Sequence, residues 1–186
     1  MRVSFHPGQY TVLNSPDEDV VARAILDLAY HAKMLECLGV DNQHKIVLHV
    51  GGIYGDKKEA LERFEQNFRR LPEAVRNRLI IENDDRLYNI EEVLELAHRL
   101  QIPAVYDNLH HAINPTPSGG TDPYWIAEAK KTWKAVDGNQ KIHYSQQAPG
   151  KRPGAHTDTI DLKTFLTFHE QLEDKHIDIM LEVKDK

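Results

Sequence analysis

The stretch KIVLHV (residues 45–50) is an apolar run of strand length with a histidine, His49, near its end and a glycine pair after it. A near-continuous apolar run of this length predicts a strand that is buried on both faces, as in a parallel sheet covered by helices. Outward along the chain, similar runs alternate with stretches of helical periodicity at residues 17–39, 57–75, 89–100, 122–133 and 161–175. This alternation predicts an α/β protein with a parallel sheet. The six predicted strands are RVSFH (2–6), KIVLHV (45–50), RLIIEN (78–83), PAVYDN (103–108), KIHYSQ (141–146) and DIMLEV (178–183).

The residues at the carboxyl ends of these strands decide between an open sheet and a closed barrel. Histidine, aspartate and glutamate make up 40 of the 186 residues, so finding one of them at all six strand ends by chance has a probability of about one in ten thousand. An open sheet gathers its functional groups at one switch point, whereas a (β/α)8 barrel takes them from the ends of several strands. The sequence therefore predicts a parallel TIM-type barrel. The six residues are His6, His49, Glu82, Asp107, His143 and Glu182.

The spacing of these residues predicts an incomplete barrel. Successive positions are 25 to 43 residues apart, so eight units would need on the order of 280 residues. We expect a single partial TIM-barrel catalytic domain over residues 1–186, with about six of the eight βα units. Open strand edges are normally covered, so an oligomer or a missing N-terminal segment is expected to cover them.

Composition limits the class of protein. No apolar stretch approaches the length of a membrane span, and no secretory leader is recognisable. With a single cysteine, Cys37, the chain cannot form an internal disulfide, and we expect a cytoplasmic protein without a membrane partner. The net charge of −6 argues weakly against a nucleic-acid partner, because such proteins usually carry a basic surface.

The strand-end residues suit a divalent metal cluster. Imidazoles and carboxylates bind borderline-to-hard divalent ions, and one thiol is too few for a cysteine-based site. Asp107 and His110, three residues apart in YDNLHH, can each contact a different ion, and His156 adds a ligand from a loop. A carboxylate such as Glu82 or Asp107 can bridge two ions that act together on a phosphodiester. A single histidine at a strand end is more often structural, so the prediction depends on the whole set.

Three basic residues have two interpretations each. Lys141 lies two residues before His143 and points the same way, into the barrel. It either reaches solvent at the bottom of the barrel or serves the site, as a contact to substrate phosphate or as a carboxylated lysine. Lys151 and Arg152, in a loop rich in proline and glycine, are candidates for contacts to a phosphate backbone, although exposed loop charges alone are a weak signal.

Seven motifs in order resemble the UV damage endonucleases, relatives of endonuclease IV in the xylose-isomerase-like barrel group. They are SFHPGQY, LHVGG, IENDD, YDNLHH, KIHYSQ, GKRPGAHTD and LEVKDK, and they cover essentially the whole chain. The resemblance implies a DNA repair hydrolase that nicks double-stranded DNA 5′ of a UV photoproduct with two to three metal ions, typically manganese, with zinc or magnesium as alternatives. It implies metal ligands at eight positions and catalytic roles for Glu82, Asp107, Glu182 and Lys141, the last at a lysine that is carboxylated in the family. The eight positions are His6, His49, Glu82, Asp107, His110, His143, His156 and Glu182.

The resemblance also gives roles to Gln9 and Tyr10, which follow the Pro7-Gly8 turn. They would probe the duplex as the damaged dinucleotide leaves the stack, with Tyr10 stacking on bases. Bound divalent ions would offset the acidic net charge. The family carries a further N-terminal portion, with the first two strands, that these residues lack.

Three alternatives stay open at this point. An abasic-site endonuclease and a sugar isomerase use the same barrel group, and the isomerase would use two ions to hold a polyol. The third alternative is an inactive fragment that binds metal or DNA.

Overall fold

Six parallel strands form one sheet in which spatial order equals chain order. The structure, a computed structural model, describes residues 2–184. Every predicted strand is present, within two residues of its predicted bounds at each end. The strands are β1 (Ser4–Phe5), β2 (Lys45–His49), β3 (Leu79–Glu82), β4 (Ala104–Asp107), β5 (Lys141–Tyr144) and β6 (Asp178–Leu181).

Helices cover the outer face of the sheet, and several begin where the sequence supplies a capping side chain. Asp17 accepts from the backbone N–H groups of Asp19 and Val20, and Asn89 forms a reciprocal capping box with Glu92. The helices are α1 (Glu18–Cys37), α2 (Lys57–Arg70), α3 (Glu73–Arg76), α4 (Ile90–Leu100), α5 (Asn108–Ile113), α6 (Asp122–Lys130) and α7 (Leu162–Gln171), with a 3-10 turn at Ala135–Asp137.

Two details of the helical prediction were wrong. The stretch 57–75 forms two helices, because Pro72 disfavours helical geometry at Leu71, whose backbone is extended. The short helix α5 was not predicted, since it follows β4 without an intervening turn and is too short to show a helical period. No helix within residues 2–184 is long and apolar enough to cross a membrane.

Strand alternation divides the buried residues between two cores. Outward-facing side chains such as Ile46, Ile81 and Tyr106 join the large core between sheet and helices. Inward-facing Val47 and Ile80, with Val105, form a small separate core. They lie two residues before the strand ends, so they form the layer directly beneath the predicted ligands.

Contacts between strands that are not neighbours show that the sheet curls. Arg2, next to β1, donates from Nε to Oδ2 of Asp178 on β6, at 2.8 Å. Lys141 on β5 donates from Nζ to Oγ of Ser4 on β1, at 2.6 Å. The first and last strands therefore approach each other across the interior, and the fold is an incomplete α/β barrel. The predicted domain, residues 1–186, includes Met1, Asp185 and Lys186, which lie outside the described residues.

Candidate metal centre

The Glu82 carboxylate, at the end of β3, is the point on which the predicted ligands converge. Its side chain is 1% exposed. Oε2 lies 2.9 Å from Nε2 of His6, and Oε1 lies 2.9 Å from Nδ1 of His143. His49 Nε2 and His110 Nδ1 are each 3.8 Å from a Glu82 oxygen. Four histidines, from the ends of four other strands or the segments that follow them, thus surround one buried carboxylate.

Asp107 and His110 are both held by Asn83, a residue for which no role was predicted from the sequence. Buried Asn83 accepts at Oδ1 from the Asp107 N–H, at 2.9 Å, and donates from Nδ2 to the Asp107 carbonyl, at 3.1 Å. The Asn83 carbonyl accepts from Nδ1 of His110, at 2.8 Å. Asp107 caps α5 by accepting from the His110 N–H, at 2.7 Å. The start of α5 at the strand end therefore turns His110 toward the site.

Glu182 and His156 complete the cluster from the β6 side. Nδ1 of His143 is 3.0 Å from Oε1 of Glu182, and Nδ1 of His156 is 3.5 Å from Oε2 of Glu182. His156 lies on the loop between β5 and α7, where Gln147 and His156 form an isolated antiparallel bridge. All eight predicted ligand residues are thus in contact with, or next to, another member of the set.

The charges in this cluster lower the pKa of Glu82 and raise the pKa of His143. Burial raises the pKa of Glu82, but the positive charges of His143 and His49 outweigh burial and hold this pKa well below its ordinary value. Burial lowers the pKa of His143, but the carboxylates of Glu82 and Glu182 outweigh it and raise this pKa to about 10. In the metal-free protein, Glu82 is therefore ionised and His143 is protonated, and the two form a buried ion pair.

Burial favours the neutral forms of Asp107 and His49 inside the same cluster. Burial, together with the nearby carboxylate of Glu82, raises the pKa of Asp107 to about 7, and burial lowers the pKa of His49. Among the eight candidate ligands, three buried ring or carboxylate atoms have no hydrogen-bond partner in the described part of the chain: Nδ1 of His49, Oδ2 of Asp107 and Nδ1 of His156. Buried polar atoms without partners are costly, and these three belong to residue types that bind divalent ions.

Two groups of ligand atoms are compact enough to hold an ion. One potential ligand atom from each member of a group lies within 4.8 Å of all the others in that group. Glu82 belongs to both, so its carboxylate is placed to bridge two ions. The donor set fits divalent metal. The groups are His6, His49 and Glu82, and Glu82, Asp107, His143 and Glu182.

Lys141 lies inside the barrel rather than at a solvent-exposed bottom. Its side chain is buried and bonded to Ser4, so the interpretation in which it reaches solvent is wrong. It is two residues before His143 on the same face, one layer below the cluster. Burial, followed by the charge of Arg2, lowers the pKa of Lys141 to about 8. A larger neutral fraction is what carboxylation of a lysine requires.

The predicted DNA-contacting residues lie on exposed loops at the carboxyl ends of the strands. Pro7 is buried, and the Thr11 N–H donates to the Gly8 carbonyl, at 3.0 Å. This bond closes a turn centred on Gln9 and Tyr10, two residues after the turn predicted at Pro7-Gly8. The turn leaves Gln9 exposed and Tyr10 83% exposed. Lys151 and Arg152 are also exposed, in the loop between β5 and α7.

A cavity of about 450 Å³ opens beside the cluster, and several of its residues were not predicted from the sequence. Its wall includes the candidate metal ligands His49 and His110 and the candidate DNA-contacting residues Gln9 and Arg152. The loop between β3 and α4 also lines it, through residues 84–87. The motif IENDD carried a signal for this loop, since two further acidic residues follow the strand end at Glu82.

Comparison with known proteins identifies the family. The family model described as UV-endonuclease UvdE matches residues 1–186. The UV DNA damage endonuclease of Clostridium perfringens is 45% identical over the whole chain, which covers 45% of that protein. The UV DNA damage endonuclease of Bacillus velezensis is 38% identical over the whole chain, which covers 58% of that protein. The chain therefore spans about half the length of these relatives.

Solved structures agree with the fold. The crystal structure of SacUVDE superposes with a TM-score of 0.92 at 43% identity, over all of this chain and 61% of that one. A D-psicose 3-epimerase from Clostridium cellulolyticum H10 superposes with a TM-score of 0.64 at 17% identity, over 98% of this chain and 64% of that one, a likeness of fold alone. From the family model, the relatives and the fold together, the chain belongs to the UV-endonuclease UvdE family.

Proposed function

We propose that this chain carries the metal centre of a DNA repair endonuclease, which hydrolyses the phosphodiester 5′ of a UV photoproduct. The observation that supports the proposal is the convergence of imidazoles and carboxylates from successive strand ends on buried Glu82. The relatives are roughly twice as long as this chain. The proposed activity therefore belongs to a protein in which a further segment or a second subunit covers the open barrel edges at β1 and β6.

The eight predicted ligands would hold two to three divalent ions, with manganese as the first candidate and zinc or magnesium as alternatives. When bound, such ions polarise the phosphoryl oxygens and stabilise the leaving oxygen. Glu82, Asp107 and Glu182 would supply the bridging carboxylates. The burial of Glu82 and Asp107 keeps water from competing for their ligand atoms, whereas the Glu182 side chain is 25% exposed. In the absence of metal, His143, whose pKa is raised, contacts the carboxylates of Glu82 and Glu182.

Lys141 would act in the same centre, either on the substrate phosphate or, once carboxylated, as a further oxygen ligand. The supporting observations are its burial beneath the cluster and its lowered pKa. Intact mass measured in bicarbonate buffer would detect carboxylation as an added mass that disappears in the variant Lys141→Met.

Double-stranded DNA with a UV lesion would contact the exposed loops beside the cluster. Gln9 and Tyr10 would enter the duplex where the damaged dinucleotide leaves the stack, and an aromatic ring can replace the lost stacking. Lys151 and Arg152 would contact the backbone. The net charge of −6 is compatible with this partner, because much of the negative charge lies in the ligands, where divalent cations would neutralise it.

The test is a nicking assay with Mn²⁺ and two labelled duplexes, one with a single photoproduct and one with an abasic site. A cut immediately 5′ of the photoproduct supports the proposal, and an unirradiated duplex serves as the control substrate. Cutting at the abasic site alone would replace the proposal with the sister repair activity. Absence of cutting by a version that includes the segment present in the longer relatives would refute it.

A further inference from the structure

The cavity beside the metal centre contains a basic residue, Arg86, that has no role in holding the metal ions. Arg86 lines it together with Gln9 and Arg152, and with the candidate ligands His49 and His110. Arg86 comes from the loop between β3 and α4, and Arg152 from the loop between β5 and α7. These two are the lysine or arginine residues that line this cavity within the described part of the chain.

The loop that carries Arg86 is held rigidly by Asp84. The Asp84 carboxylate accepts from the backbone N–H groups of Arg86, at 2.8 Å, and of Tyr88, at 3.1 Å. The Asp84 N–H donates to the Tyr88 carbonyl, at 2.9 Å. Tyr88 in turn donates from its hydroxyl to the Gly52 carbonyl, at 3.1 Å, on the preceding β2–α2 loop. This turn fixes the direction in which the Arg86 side chain leaves the backbone.

The Arg86 guanidinium makes no hydrogen bond to the other described residues. Its side chain is 67% exposed, and its ion-pair contact is to the adjacent Asp85, at 3.6 Å, which is too long for a hydrogen bond. Asp85 itself packs against the other arginine-bearing loop. A methyl group placed on Gly154 would come within 2.9 Å of Oδ2 of Asp85, so the two loops are in close contact there.

A cationic group in this position would offset the negative charge of the cavity wall. The cavity wall also contains Asp84 and Asp85, whose negative charges would repel a polyanion. An arginine fork matches the geometry of phosphate and binds it with two parallel hydrogen bonds. Because its loop is already ordered, binding a phosphate costs Arg86 little backbone entropy.

We propose that Arg86, beside Arg152, binds a backbone phosphate of the DNA strand that enters this cavity, and so sets which phosphodiester reaches the metal centre. The inference rests on the proposed function. Arg86 would bind the phosphate equally strongly in the enzyme–substrate complex and in the transition state. Its removal should therefore raise KM and leave kcat unchanged.

The test compares Arg86→Ala, Arg86→Lys and a matched control, Arg69→Ala. Arg69 is exposed at the far end of α2, at the opposite end of the barrel from the cavity. Binding to a UV-irradiated duplex is measured in Mn²⁺ between 50 and 200 mM salt. For each phosphate contact that the variant loses, the slope of log K against log salt should become less steep by about 0.9. Raising the salt concentration fourfold should therefore weaken binding of the variant about 3.5-fold less than it weakens binding of the wild type.

The expected result is a reduced slope and a raised KM for Arg86→Ala, recovery of the slope in Arg86→Lys, and wild-type behaviour in Arg69→Ala. Thermal unfolding midpoints equal to wild type would show that the exposed substitutions leave the fold intact. A slope unchanged in Arg86→Ala, with wild type binding the irradiated duplex, would overturn the role of Arg86 alone. Failure of the wild type to bind the irradiated duplex better than the undamaged one would overturn the proposed function as well.

Discussion

Replacing Glu82 with glutamine should remove the centre of the cluster while keeping its shape. The raised pKa of His143, about 10 against an ordinary 6.5, corresponds to about 5 kcal/mol at 1.36 kcal/mol per unit. Glu82 and Glu182 share this stabilisation. Glu82→Gln should therefore lower the free energy of unfolding of the metal-free protein by about 2–3 kcal/mol near pH 6, a little below the usual cost of breaking a buried ion pair.

The effect should depend on pH in a way that identifies its cause. The stabilisation from a raised histidine pKa is complete below the unfolded value of 6.5 and is lost as pH rises through about 10. The stabilisation from the lowered pKa of Glu82 is complete above the unfolded value of 4.5 and is lost as pH falls below it. The difference between wild type and Glu82→Gln should therefore be largest between pH 4.5 and 6.5 and should shrink toward pH 10.

Urea unfolding in EDTA at pH 5.5, 8 and 10 measures this difference, with the exposed α2 variant Glu62→Gln as the matched control. Repeating the series with Mn²⁺ measures metal binding, since a ligand at 100 times its Kd stabilises by about 2.7 kcal/mol. Wild type and Glu62→Gln should gain this stability, and Glu82→Gln should not. A difference that stayed constant from pH 5.5 to 10, or a full Mn²⁺ effect in Glu82→Gln, would refute the reasoning.

Three further substitutions test separate parts of the molecule. His49→Ala should abolish Mn²⁺-dependent nicking, and full activity in this variant would remove His49 from the ligand set. Tyr10→Ala should leave stability and metal binding unchanged but reduce discrimination for irradiated over undamaged duplex about tenfold in competition binding, since one stacked base is worth about 1–3 kcal/mol; equal discrimination would contradict a stacking role. Asp137→Asn should cost about 3 kcal/mol in urea unfolding, because the Asp137 carboxylate lies 2.6 Å from Nζ of Lys45 and these side chains are 10% and 1% exposed; a cost below about 1 kcal/mol would show that Lys45 is neutral.

Much of the fold could be predicted because the apolar runs and the polar residues at their ends both indicated a parallel barrel. Each strand is an apolar run with a polar residue at its end, and a parallel barrel brings strand ends to one face. His49 and Glu82 are direct register partners on β2 and β3, as are Asp107 and His143 on β4 and β5. A shift by one residue would turn these side chains outward, so the pattern of strand ends predicts which side chains face the interior. It does not predict the full register, because Glu82 pairs with Val105 and His143 pairs with Met180.

What the sequence did not reveal depends on three-dimensional contacts. The Asn83 amide acts on Asp107, 24 residues away, and no local periodicity marks it. Lys141 was ambiguous because a lysine near a strand start can extend to solvent, and its bond to Ser4 exists only once β1 and β5 face each other. Arg86 could not be predicted because its role follows from the cavity, which several loops form together.

The spread of the Glu82 cluster along the chain has a consequence for kinetics. Its members extend from His6 to Glu182, so the site cannot exist until strands from both ends of the described chain have paired. Contacts of such large sequence separation form late in folding, because loop-closure entropy must be overcome first. An ion held by them should therefore slow unfolding while leaving the folding rate nearly unchanged. Occupancy of the centre would then lengthen the lifetime of the folded protein, and chelation would shorten it.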